Sequence, residues 1–140
     1  MDTDEKRVKH LEIIQGVVNR LAGNSFAIKG WSITLVSALI TIAVDKSDGR
    51  YALTGLLPAF VFWILDGYFL WKEKLFRELY NAVRLEKRSK PNELFIMDTK
   101  PFEKEVDSWP VVTFCPGKNT LLLFHGVIVL SVLIAFSVLK

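Results

Sequence analysis

The chain has 140 residues, 51% of them hydrophobic and 24% charged, with a formal net charge of +3 and one cysteine. A single cysteine excludes a disulfide framework and a CxxC zinc site. The length would suit one soluble domain, but the apolar residues gather in three runs, at about 26–44, 51–71 and 120–139. Each run has roughly 20 residues, enough at about 1.5 Å per residue to cross a hydrocarbon core of about 30 Å.

Residues 1–24 come first and read as an amphipathic cytoplasmic helix. Val8, Leu11, Ile14, Val18 and Leu21 recur at helical spacing, and Ile13 and Val17 widen the stripe. Such a helix lies on the inner leaflet or packs on another helix. Gly23, Asn24 and Ser25 supply a stop and a fresh cap, so a break is expected there. The charged start excludes a cleavable signal peptide, and the first span should remain as an anchor.

Residues 25–44 form the first expected span. Gly30, Thr34, Ser37 and Thr41 fall at intervals of four, three and four on one face. Small and hydroxylated residues let membrane helices pack closely, and the same face could line a narrow aqueous path. Six residues, DKSDGR, then separate it from the second span. The two spans must therefore make a tight antiparallel hairpin.

The second span, 51–71, carries one ionised side chain, Asp66. A carboxylate at the centre of a span costs roughly 2.5–3.5 kcal/mol on insertion scales, so a partner or a purpose is expected. Pro58 predicts a mild kink near the middle. Gly55, Ala59, Phe62 and Asp66 share a face, and Gly55 and Ala59 form a small-xxx-small pair. The helical pattern runs on through 72–90, where Leu75, Phe76, Leu79, Tyr80 and Val83 make an apolar stripe. Glu73 with Arg77 and Lys74 with Glu78 are spaced as i,i+4 ion pairs. This long cytoplasmic extension needs a partner, and the N-terminal helix is the nearest. Pro91 should end it.

Residues 91–119 hold four prolines and two apolar clusters too short to span. They read as a small irregular cytoplasmic cap, with 109–117 as a short strand closed by a turn at Pro116 and Gly117. The third span, 120–139, contains His125.

Basic residues set the orientation. Four precede the first span and ten lie between the second and third, against two in the short loop and Lys140 at the end. The positive-inside rule places the N-terminus in the cytoplasm and the C-terminus outside, in the periplasm of a bacterial inner membrane. Lys29 lies sixteen residues before the short loop and Asp66 sixteen after it, so the hairpin sets them level. His125 enters from the same side at similar depth. Lys29, Asp66 and His125 should thus form one intramembrane polar layer, either a structural clasp or the inner end of an ion or proton path.

The second loop offsets its ten bases with eight acids, a mixture suited to a solvated face or lipid surface rather than nucleic acid. No P-loop, GxGxxG, HExxH or GxSxG occurs, and no metal ligands stand at metal-site spacing. No catalytic residue, metal or other cofactor is therefore assigned, and the chain reads as no enzyme.

Asn19-Arg20, Asn24-Ser25-Phe26, Lys29-Gly30-Trp31 and Phe62-Trp63 with Asp66 resemble a family of small bacterial inner-membrane proteins over the first 85 residues or so. The layout of helix, two-span hairpin and long cytoplasmic helix is similar to SLATT-type membrane effectors of anti-phage defence, from which the third span and the mixed cap differ. One three-span protomer is too small to enclose a channel, so the first reading is a homo-oligomeric pore or ion path lined by the small-polar face of the first span or by the Asp66 face. The similarity of layout extends that reading to anti-phage defence. The alternative is a non-conducting scaffold or subunit that docks a cytosolic partner. The expected architecture is an all-α membrane protein with three transmembrane helices.

Overall fold

The computed structural model describes residues 2–85, 93–115 and 120–140. Its elements are α1 (Thr3–Lys46), α2 (Arg50–Leu53), α3 (Leu56–Arg84), a 3₁₀ turn (Lys100–Phe102), α4 (Trp109–Phe114) and α5 (Leu121–Val138). Among the described residues there is no strand. Three helical stretches are long and apolar enough to cross a membrane: Thr3–Lys46, Arg50–Arg84 and Leu121–Val138.

α1 is one helix of 44 residues, about 66 Å long. Asp2 caps it by accepting from the Thr3 N–H, and Asp4 and Glu5 sit in its first turn. It ends with Ser47 left-handed at φ 49 and the Asp48 N–H reaching back to the Ala43 carbonyl. The expected break at Gly23, Asn24 and Ser25 is absent. A glycine within a helix costs only about 1 kcal/mol against alanine, far less than the pull of a packed face on either side. Ser25 spends its hydroxyl on another helix rather than on a cap.

α3 begins at Leu56, after a two-residue turn that joins it to α2. Pro58 is the third residue of α3, so the mid-span kink is corrected to a helix start. Proline is tolerated in a first turn, because the N–H it lacks would have no intrahelical acceptor. At the same end the Gly49 N–H donates to the Leu139 carbonyl at 3.2 Å. A Cβ at Gly49 would stand 2.7 Å from the Phe136 carbonyl oxygen, so only glycine permits this approach of the turn to α5.

The segment expected as a strand is the helix α4. Pro110 sits in its first turn, and the Thr113 hydroxyl donates to the Trp109 carbonyl at 2.8 Å. A short apolar run cannot distinguish strand from helix by periodicity. Pro91 and the Pro116–Gly117 turn lie outside the described residues.

Two apolar clusters hold the fold together. One joins Ile14 and Val18 of α1 to Leu75, Leu79, Ala82 and Val83 of α3, closed by Phe102. The N-terminal half of α1 is thus the partner of the α3 extension. Glu73 and Arg77 form their ion pair at 2.7 Å. The other cluster joins Val36, Ala59, Ile128 and Val132 from three helices.

Along the three long helices the packing is inverted relative to a water-soluble protein. Ser32, Asp66 and His125 are fully buried, while Phe26, Leu57, Leu123 and Val138 are 71–81% exposed. Large apolar side chains facing outward along three long helices suit hydrocarbon as the surrounding solvent.

Candidate functional site

The site is built around Asp66 on α3. Its Oδ1 accepts from the Ser25 hydroxyl. Its Oδ2 lies 2.6 Å from Lys29 Nζ and 2.9 Å from His125 Nε2. Lys29 also donates to Ser25 Oγ at 2.7 Å. Lys29, Asp66 and His125 therefore meet, and Ser25 joins them.

Local structure explains each position. Ser25 and Lys29 are four residues apart on α1 and share a face, so both reach the same carboxylate. His125 is the fifth residue of α5, close to where that helix enters the bundle. Asp66 shares the buried face of α3 with Ala59 and Trp63. One hydroxyl, one ammonium and one imidazole supply three donors to a carboxylate removed from water, as a buried charge requires.

The surroundings orient His125. The Trp63 ring stacks on it at 5.9 Å with planes 9° apart, and Phe124 meets it edge-on at 5.1 Å. Donation to an ionised Asp66 puts a hydrogen on Nε2, a tautomer assigned from its partner. The buried Nδ1 has no hydrogen-bond partner among the described residues, and neither has the buried Ser32 hydroxyl. Trp63 is itself held by donating Nε1–H to the Thr113 carbonyl at 3.1 Å. α4 reaches this position because Gly67 leaves room. A Cβ there would lie 2.7 Å from Thr113 Cγ2.

The cluster is closed on one side and open on the other. Asp66 and His125 have no exposed side-chain surface, whereas the Lys29 side chain is 24% exposed. The arrangement can hold a carboxylate ionised within apolar surroundings and can pass a proton between carboxylate and imidazole. Among the described residues no group of three or more His, Cys, Asp or Glu side chains could hold a metal ion. Cys115 is half-buried.

The remaining candidates divide. Gly55 and Ala59 are buried between helices, and a Cβ at Gly55 would lie 3.5 Å from Val132 Cγ2. Gly30, Thr34, Ser37 and Thr41 are all exposed, with Ser37 bordering the open groove between α1 and α5. Thr34 and Thr41 turn their hydroxyls back to the carbonyls of Gly30 and Ser37 at 2.9 Å. The buried face of α1 carries Ile28, Ser32, Val36 and Ala43 instead.

Sequence reasoning missed four residues. Ser25 was read as a cap. Trp63 and Thr113 were passed over because their contact spans fifty positions. His10, to which the sequence assigns no role, is fully buried, and its Nδ1 accepts from the Phe95 N–H at 3.3 Å. Its spacing of four before Ile14 and eight before Val18 was the available signal. By contrast Val8 and Ile13, assigned to the apolar stripe, are 55% and 42% exposed.

Comparison with known proteins found no matching family model, curated protein or solved structure.

Proposed function

We propose that this chain is a multi-pass protein of a bacterial inner membrane whose copies assemble into a pore or ion path. In this reading the N-terminus and the α3 extension are cytoplasmic and the C-terminus is periplasmic. The observation that carries it is the exposed face of Gly30, Thr34, Ser37 and Thr41 on α1. A three-helix protomer is too small to enclose a channel. A small, hydroxylated face pointing away from the protomer's own packing is suited to meeting a second copy and to lining a path. Service in anti-phage defence is the finer part of the proposal, and the layout of hairpin and extension supports it.

The test is ion flux from sealed vesicles containing the purified protein, paired with cross-linking of Thr34→Cys in a Cys115→Ser background. Flux with cross-linked species above the monomer is expected, and Gly30→Leu should abolish both. Vesicles that stay tight while the oligomer is present would overturn the reading.

A second reading, a non-conducting scaffold docking a cytosolic protein, draws on Val8, Ile13, Phe95 and Ile96, which remain 42–55% exposed away from the spans. The apolar stripe of the α3 extension, Leu75, Leu79 and Val83, is covered by α1 as expected, so it offers no surface to such a partner.

A further inference from the structure

The open flank of the polar cluster leads into a groove. It runs between α1 and α5, measures 610 Å³, and is lined by Ile33, Val36, Ile40, Phe124, Val127 and their neighbours. α1 and α5 run in the same direction, since Lys29 and His125 share one carboxylate and Gly49 meets Leu139 beyond the other end. Lys29 and Thr120 therefore stand at one end of the groove, and Ile40 and Ser131 at the other. The Ser131 hydroxyl is satisfied by the Val127 carbonyl at 2.8 Å. Ser37 adds a hydroxyl partway along an otherwise apolar wall.

We propose that this groove binds one acyl chain of a membrane phospholipid, with the lipid's phosphate or ester oxygens at Lys29 and Thr120. Three observations point there. Lys29 to Ile40 spans eleven residues, about 16 Å of helix. That is close to half of a hydrocarbon core of about 30 Å, the depth of one leaflet. The walls are apolar apart from Lys29, Ser37, Thr120 and Ser131, which suits an acyl chain lying along the groove. The polar end lies level with exposed Trp31 and Tyr68, 62% and 40% accessible. Residues of that kind gather where headgroups begin.

The charge arrangement agrees. An ammonium has three hydrogens to donate. Asp66 and Ser25 take two of those of Lys29, leaving one for a phosphate or ester oxygen. The Lys29 side chain is partly accessible, whereas its carboxylate partner is sealed. Binding of this kind requires that the helices cross a bilayer. It does not require that the protein conduct ions.

The test uses the full chain reconstituted in vesicles of equal parts phosphatidylethanolamine and phosphatidylglycerol, then extracted in mild detergent for native mass spectrometry. Wild type should retain one phospholipid per chain. Val127→Trp fills the groove from an exposed position on α5 and should lose that lipid while its helicity and melting temperature stay as in wild type. Leu123→Trp, at a second exposed lining position, guards against misfolding of the first variant and should do the same. Equal retention by wild type and both variants would overturn the proposal, and so would wild type carrying only detergent. A change of oligomer mass in the variants would overturn it in favour of a second copy as the occupant.

Discussion

Asp66 and His125, fifty-nine positions apart, meet with Nε2 2.9 Å from Oδ2, and neither side chain has exposed surface. The contact joins α5 to the α1–α3 hairpin at the level where Lys29 and Ser25 reach the same carboxylate. Below it lies one apolar cluster and above it the other. A polar knot between two dry clusters sets helix register, because sliding any helix by one turn would strand a buried charge.

The knot should behave as a coupled unit. Lys29→Met leaves Asp66 short of its strongest donor and should cost about 3 kcal/mol or more. Lys29→Met combined with Asp66→Asn should cost less than the two single changes summed, with a coupling of about 2 kcal/mol. Reversible unfolding in mixed micelles measures it. Additive losses would show that the pair is not formed.

His125 should matter through its donor rather than its ring alone. His125→Phe keeps the aromatic volume beside Trp63 but removes the hydrogen bond to Asp66, and about 1–3 kcal/mol should be lost. His125→Gln keeps a donor and should lose less. Thermal melts of the two variants in detergent decide between them. If Phe is tolerated better than Gln, packing dominates at this position.

Gly67→Ala should push α4 off α3. The added Cβ would stand 2.7 Å and 2.8 Å from Thr113 Cγ2 and Cβ. Overpacking of this kind costs about 1–3 kcal/mol. The loss should be accompanied by faster amide exchange across 109–114, since the Trp63–Thr113 bond depends on that approach. Thr113→Gly in the same chain should return part of the stability.

Gly23→Ala should do the opposite. Beyond the helix's own nearby backbone nothing lies within 4 Å of where its Cβ would be, and Gly23 sits inside the unbroken α1. A gain of about 0.5–1 kcal/mol is expected from the helix interior. No gain, or a loss, in the melting temperature would restore the break that the sequence led one to expect.

The sequence alone determined what its periodicity and length carry. Three apolar runs of bilayer length required three long helices. The loop of six residues required a hairpin, and counting from it put Lys29 and Asp66 at one depth. The α3 extension had to cover its stripe, and α1 was the neighbour within reach. These are local or nearly local quantities, set by rise per residue and by which side chains tolerate water. Tertiary structure decided everything that depends on which faces meet. Gly30, Thr34, Ser37 and Thr41 share a face whatever the fold, but only packing shows that this face is turned outward. Ser25 reads as a cap until α3 brings Asp66 beside it. Pro58 reads as a kink until the turn at Thr54 and Gly55 makes it part of a first helical turn. His10, Trp63 and Thr113 find partners 50 to 85 positions away in the chain. Such pairings follow from the mutual rotation of whole helices, and no spacing within one helix encodes that rotation.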